Sequence, residues 1–240
     1  MHKKLKEDLK YFVRKYFGYD LRSLKVKLGE DFLDQKKILE NKQVKIVFDI
    51  GANVGQTTLK YKKMFPKSQI YGFEPFLDVF KKYTDFYKGD KRVFAVNKAF
   101  SNKNGNATFF VNNNSYTNSL LPINTGFMEG FRTVKEISVE TETIDSFCKR
   151  NNVQYIDILK LDVQGGELLV LEGAKEMLTE EAIGLIYTEV EFVEVYKSQP
   201  LFGDIQNFLE QYGYKLYKKY IVDNNENGEP IAGDAIFLKL

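Results

Sequence analysis

From residue 44 onward, short apolar runs of strand length alternate with stretches whose apolar residues recur at helical spacing. The runs predict strands over 46–50, 69–73 and 92–96, and the periodic stretches between them predict helices over 55–65 and 77–87. Strands separated by helices in this way predict a parallel sheet covered on both faces. Beyond residue 100 the rhythm changes. Residues 107–111 and 133–140 read as short β pieces around the polar segment 112–119, an insertion expected near the functional site. Alternation resumes with a helix over 144–150, an apolar strand over 155–163, one helix bearing Leu169, Leu171, Ala174 and Leu178, and a strand over 183–192. Ile205, Phe208, Leu209 and Tyr212 form a helical stripe stopped by Gly213. Strands over 214–222 and 234–240 then flank the turn-forming segment 223–228, so the chain closes on an antiparallel pair.

The amino-terminal 43 residues follow a different pattern and are read as a helical extension to a domain spanning 44–240. Leu5, Leu9, Phe12, Val13, Tyr16 and Phe17 share a helical face, with lysines and Arg14 over much of the rest; residues 21–40 predict further helix interrupted by Gly29. The first 45 residues carry 13 basic and 7 acidic side chains, net +6, which leaves the remainder at net −4. Such a basic amphipathic helix suits an anionic membrane surface, a second subunit or its own domain. Over the whole chain 35 Lys and Arg nearly balance 33 acids, so charge makes no case for a nucleic-acid partner.

At 240 residues and 43% apolar content the chain can bury one full core. Cys148 is the only cysteine and His2 the only histidine, which excludes an intramolecular disulfide and a cysteine-rich zinc site. A histidine base or histidine metal site is not expected in the core, and no metal is expected. No run of 18 apolar residues and no long apolar leader occurs, which predicts a cytoplasmic chain.

The candidate chemistry begins where the first strand turns into the first helix, over residues 45–58. Gly51 and Gly55 predict close backbone approach of a ligand, and Asp49, at the strand's carboxyl end, is a hydrogen-bond acceptor. The three-glycine dinucleotide fingerprint is incomplete: Asn53 stands between the two glycines, and the acid before them suits a cation better than a phosphate. Glu74, 25 residues after Asp49 and followed by Pro75, ends the next strand where an acid can grip both ribose hydroxyls. Asp162 ends the strand expected beside that of Asp49, at the switch point where open α/β sheets bind ligands. Glu189 and Glu191 project from one face of a later strand. Glu167 suits a capping role at a helix amino terminus, and Lys160 a sheet-to-helix contact. Tyr187, Phe192 and Tyr196 are core residues or a surface on which a sugar stacks.

The spacing Asp49-x-Gly51-x-Asn53-x-Gly55 resembles the first motif of class I methyltransferases. Together with Gly72-Phe-Glu-Pro75, Ala99-Phe-Ser101, Asn118-Ser-Leu120, Leu159-Lys-Leu-Asp-Val-Gln-Gly165, Glu167, Leu171-Glu-Gly-Ala174 and Thr188-Glu189, in this order, it resembles the FkbM family of S-adenosylmethionine-dependent methyltransferases over about residues 44 to 220. The resemblance implies an α/β, Rossmann-like, seven-stranded and mostly parallel sheet with an antiparallel last strand. It implies S-adenosyl-L-methionine as cofactor, held by Asp49, Gly51, Ala52, Asn53, Gly55, Glu74, Pro75, Ala99, Ser101 and Asp162. It also implies methyl transfer to an oxygen, often a sugar or polyketide hydroxyl, so a small-molecule or glycan acceptor is the expected partner. Transfer needs an acceptor oxygen in line with the sulfonium carbon and a route for its proton. Without a core histidine the candidate bases are Asp162, Glu167, Glu189, Glu191, a lysine or a tyrosine, with Asp162 first and Glu189 next. Asp162 could equally hold the methionine ammonium or fix a loop. Two other readings stand beside this one: a noncatalytic S-adenosylmethionine-binding module, and a nucleotide-dependent oxidoreductase, against which the missing third glycine and the reversed closing strand argue.

Overall fold

The computed structural model describes residues 28–126 and 130–239; the basic helix expected within the first 17 residues, with its membrane or subunit contacts, lies outside them. In chain order the strands are β1 (Ile46–Ile50), β2 (Gln69–Phe73), β3 (Val93–Val96), β4 (Ala99–Phe100), β5 (Gly105–Asn112), β6 (Thr133–Glu142), β7 (Ile156–Leu161), β8 (Ile183–Glu191), β9 (Tyr214–Asn224) and β10 (Pro230–Lys239). The helices are α1 (Glu30–Ile38), α2 (Gln56–Met64), α3 (Leu77–Phe86), α4 (Ile144–Asn151), α5 (Glu167–Glu172), α6 (Lys175–Thr179) and α7 (Phe202–Gln211).

Seven strands form the main sheet in the order β3-β2-β1-β7-β8-β10-β9, and a second sheet has the order β4-β6-β5. Every neighbour pair from β3 to β8 is parallel, while β10 runs antiparallel to both β8 and β9. The fold is therefore the mostly parallel sheet that the alternation predicted, and the Rossmann-like sheet with a reversed last strand that the resemblance implied. The central strands are almost continuously apolar because helices cover both faces. On one face Phe48, Phe73, Phe100, Leu159, Leu161 and Ile186 pack with Phe147 of α4, whose ring meets those of Phe48 and Phe73 edge-on at 5.5 and 5.0 Å. Each such aromatic pair contributes about 0.5–1.5 kcal/mol beyond area burial. On the other face α1 sets Phe32 against Tyr61 and Tyr187, at 5.4 and 5.5 Å, over Val47, Ile158 and Leu185. Residues 30–44 thus share a core with the sheet that follows them.

Two expectations need correction. The single helix expected over Leu169 to Leu178 is two helices, α5 and α6. The Gly173 carbonyl accepts from Asp145 N–H at 3.0 Å, and the Asp145 carboxylate accepts from Glu176 and Met177 N–H at 2.9 and 3.1 Å. That side chain satisfies the orphan donors at the start of α6, so a new helix begins there at little cost. The two β pieces of the insertion are longer than expected, and with β4 they build the small sheet. Among the described residues no helix is long and apolar enough to cross a membrane.

Candidate active site at the carboxyl ends of the strands

Strand order departs in opposite directions from β1: β2 and β3 lie on one side, β7 and β8 on the other. An open parallel sheet leaves a crevice at this reversal. A cavity of about 480 Å³ occupies it. Of the residues expected to bind cofactor, Gly51, Ala52, Asn53, Glu74, Pro75, Ala99 and Asp162 line the cavity, as does Glu189; Asp49, Gly55 and Ser101 do not. The insertion supplies its outer wall through Phe109, the turn Ser115–Thr117, Asn118 and Leu120. Tyr116, on that turn, accepts a hydrogen bond from Gln56 Nε2 at 3.2 Å across the rim.

Glu74 leaves the end of β2 buried, with its carboxylate fixed by two backbone donors: Asn53 N–H to Oε2 at 3.1 Å and Phe76 N–H to Oε1 at 2.9 Å. Asn53 adopts φ +48°, the left-handed turn that aims its N–H at the carboxylate. Burial raises the Glu74 pKa to about 7 against the opposing pull of these two hydrogen bonds.

Asp49 lies beneath the cavity floor with no exposed surface. Its Oδ2 accepts from Thr58 Oγ1 at 2.6 Å, and Oδ1 faces Lys160 Nζ at 3.0 Å. Lys160 was expected to make a sheet-to-helix contact. It does leave the face opposite Leu159 and Leu161, but its ammonium gathers the ends of two strands instead: Asp49, Asp162 Oδ2 at 3.4 Å, and the carbonyls of Ile50 and Gly51 at 3.2 and 2.9 Å. Burial draws the lysine pKa down, yet Asp162 and Asp49 outweigh it and hold the ammonium above its ordinary value.

The two glycines also make room for neighbours within the protein. Gly51, at φ +75°, would place a Cβ 1.8 Å from the Asp162 carbonyl oxygen, so it permits β1 and β7 to end side by side. Gly55, at φ +93°, would drive a Cβ into the rings of Tyr83 on α3 and of Tyr87 just past its end, and its carbonyl accepts from Tyr87 OH at 2.5 Å. Both glycines shape the loop through protein contacts, and Gly51 also lines the cavity. Ser101 is buried, and its carbonyl oxygen abuts Gly173.

On the other side of the reversal, carboxyl groups crowd together. Gln164, a residue with no role assigned from sequence, stands between Asp162 and Glu189: its Nε2 donates to Asp162 Oδ1 at 3.1 Å and to Glu189 Oε2 at 2.6 Å. Its Oε1 accepts from Tyr196 OH at 2.8 Å, and its carbonyl accepts from Ser119 Oγ at 2.6 Å. Gln164 adopts φ +61°, and a polar residue followed by two glycines at a strand end was the available signal for such a turn. Burial, then Asp162 and Glu191, raise the Glu189 pKa well above its ordinary value. Burial with Glu167 and Asp162 pushes Glu191 up to about 9. Glu167 is buried at the first position of α5 and accepts from Val163 N–H at 2.7 Å, which ties down the turn between β7 and α5 in place of the helix cap expected of it; burial raises it to about 7. Tyr196 is buried, Phe192 packs on Phe202 at 5.4 Å, and Tyr187 OH donates to Asp31 Oδ2 at 2.6 Å.

The sequence matches the Methyltransferase FkbM domain over residues 49–216. It is 28% identical over 163 residues to the 2-O-methyltransferase NoeI of Sinorhizobium fredii; the match covers 64% of this chain and 66% of that protein, just under two thirds of the relative's length. It is 24% identical over 185 residues to Methyltransferase 1 of Beauveria bassiana, covering 71% of this chain and 72% of that one. Among solved structures, the fold is similar to a chain of the fibrillarin/Nop5p complex, with a TM-score of 0.50, 12% identity, and coverage of 91% of this chain and 89% of the other, a likeness of fold alone. With the family's domain covering β2 to β8, the reversal and every residue that lines the cavity, the chain belongs to the FkbM methyltransferase-domain family.

Proposed function

We propose that the protein is an S-adenosylmethionine-dependent O-methyltransferase acting on a hydroxyl of a glycan or another small-molecule acceptor. The observation that carries this reading is one cavity lined by Glu74 together with Asp162 and Glu189. Its volume falls in the range of sites for ligands of cofactor size. Among the described residues the one cation lining it is Lys98, which is engaged by Glu140 at 2.5 Å and Glu142 at 3.1 Å. An acidic cavity whose only cation is already neutralised suits a nucleoside carrying an ammonium and a sulfonium, and opposes one carrying phosphates.

The bound cofactor would supply an electrophilic methyl group. Glu74, anchored from behind by Asn53 and Phe76, holds the ribose hydroxyls. Asp162 accepts the proton of the acceptor hydroxyl as it attacks. Glu189, whose ionisation burial and the neighbouring acids oppose, stands opposite Asp162, and Gln164 fixes the spacing of the two carboxyl groups. Asp49 and Gly55 act at one remove by holding the motif loop. The relative named as a 2-O-methyltransferase supports oxygen as the methylated atom. Calorimetry with S-adenosylmethionine, followed by measurement of S-adenosylhomocysteine formed in the presence of hydroxylated metabolites and glycans from the source cells, tests the reading. Absence of binding sinks it, and binding without turnover across that pool reduces the protein to a binding module.

A further inference from the structure

We propose that a second cavity, of about 250 Å³, is the subsite that receives the acceptor, and that it is built for a single hydroxylated ring such as one sugar unit. This rests on the methyltransferase reading above. The second cavity lies over the ends of β7, β8 and β10, and it meets the first at three residues that line both: Thr57, Asp162 and Glu189. A ligand in each would therefore face the other across the pair of carboxyl groups assigned to handle the proton.

The origin of the walls argues in the same direction. Every residue lining the first cavity falls between Ile50 and Glu189, inside the segment shared with the family. The second cavity has seven of its twelve lining residues inside that segment, but it adds Phe32 from α1, and Val222, Ala232, Gly233 and Asp234 from β9 and β10, all outside it. A cofactor common to a family is read by the shared part of the chain; an acceptor that differs between members is read by parts that are not shared.

The lining has the chemistry of polyol recognition. Asp162, Glu189 and Asp234 present carboxyl groups to one space, and Glu189 and Asp234 are direct register partners across β8 and β10. Carboxyl groups set side by side repel as anions, and burial pushes Asp234 up to about 6, so the pair offers both donors and acceptors to neighbouring hydroxyls. Val222 and Ala232 give an apolar surface for ring C–H groups. Lys60 adds a cation at the wall, stacked 4.1 Å from the centre of the Phe32 ring. A cavity of this size has room for about eight waters at liquid density, or for one small ring in their place. The acceptor oxygen forms a bond to the methyl carbon as the carbon–sulfur bond breaks and its electron pair stays on sulfur; the hydroxyl proton passes to Asp162 and then to solvent. The products are the methyl ether, S-adenosylhomocysteine and one proton.

The test fills the cavity without touching residues that line the first. Ala232→Phe occupies its interior, and Val222→Trp, at a position 72% exposed, covers its mouth with no burden on the core. Each variant is compared with the unmodified chain by calorimetric affinity for S-adenosylmethionine and by transfer of a tritiated methyl group into the glycan and metabolite pool of the source cells. Transfer lost by on the order of 10²-fold in a variant with a normal melting transition, with cofactor affinity unchanged within about twofold, is the expected result. Acid hydrolysis of the product should release a labelled mono-O-methyl sugar. Transfer unchanged in Val222→Trp and in folded Ala232→Phe overturns the proposal, as does cofactor affinity falling in step with transfer, which would make the cavity part of the cofactor site. Label confined to a product without a hydroxylated ring overturns the acceptor class. If Ala232→Phe does not fold, Val222→Trp decides alone. If the unmodified chain binds cofactor but labels nothing, the methyltransferase reading itself fails, a result distinguishable from loss in the variants only.

Discussion

Glu74 and Glu189 stand toward the carboxyl ends of β2 and β8, on opposite sides of β1, and burial raises the pKa of both. Their partners differ. Glu74 is met by two backbone N–H groups, dipoles that favour the carboxylate and leave it poised near neutrality. Glu189 is met by a side-chain amide and by four other acids, Asp162, Glu191, Glu167 and Asp234, each of which opposes its ionisation. The same residue type is therefore a gripping acceptor on one half of the sheet and a carboxyl group held back from ionising on the other. The environment, set by which strands are neighbours, assigns the role.

Lys160 joins the two halves, and removing it should produce the largest effect. Lys160→Met leaves Asp49 buried without its counter-charge and frees the ends of β1 and β7, a loss of about 3–5 kcal/mol. Denaturant unfolding measures it. A loss below about 1 kcal/mol would mean that the buried pair is not holding the two halves together.

On the β7 and β8 side, the comparison predicts unequal effects from the two isosteric amides. Asp162→Asn removes the proposed base and should lower methyl transfer by roughly 10²–10⁴-fold with cofactor affinity little changed. Glu189→Gln replaces a carboxyl group whose ionisation burial and four neighbouring acids already oppose, so its loss should stay under about tenfold. Equal large losses in both variants would show that Glu189 works as an anion, and near-normal transfer in both would leave positioning as the whole of catalysis.

On the β2 side, Glu74→Ala should weaken S-adenosylmethionine binding by about 1–3 kcal/mol, with Glu74→Gln losing less. The 2′-deoxy cofactor should cost the unmodified protein affinity and cost the Ala variant little more. Full additivity of the two changes would place the ribose elsewhere.

How much of this was legible in the sequence follows from the range of each interaction. The alternation of strands and helices and the placement of Glu74 and Asp162 at strand ends depend on local periodicity, and both were readable. Gly51 and Gly55 were legible as special positions, but their neighbours were not: the Asp162 carbonyl lies 111 positions along the chain and the α3 rings about 30, and only the folded sheet brings them into contact. Lys160 was assigned to the right face with the wrong partners, because a two-residue period fixes a side chain's direction and says nothing of what lies past the end of the strand. Gln164 was missed for a similar reason. Its four contacts come from β8, the insertion and the segment around Tyr196 as well as from its own turn, and no local pattern encodes that meeting.

The smallest effect, and the sharpest on the comparison, is the pH dependence of Glu74. Its pKa of about 7 exceeds the ordinary 4.5, so the folded, ligand-free chain binds a proton there more readily than the unfolded chain does. The corresponding stability is fully present below about pH 4.5 and is lost as pH rises through about 7. Cofactor binding runs the other way. Ribose hydroxyls donate to the carboxylate, so affinity for S-adenosylmethionine should rise between pH 6 and 8, by roughly tenfold at most. Glu167, near 7, and Asp234, near 6, titrate in the same window and also lower stability as pH rises, so the melting temperature alone does not isolate Glu74. The difference between the unmodified chain and Glu74→Gln does. In the amide variant the affinity should be flat from pH 6 to 8, and the fall in melting temperature over that range should be shallower. A rise in affinity that persists in Glu74→Gln would assign the titration to the crowded acids of the β7 and β8 side and would remove the distinction between the two halves.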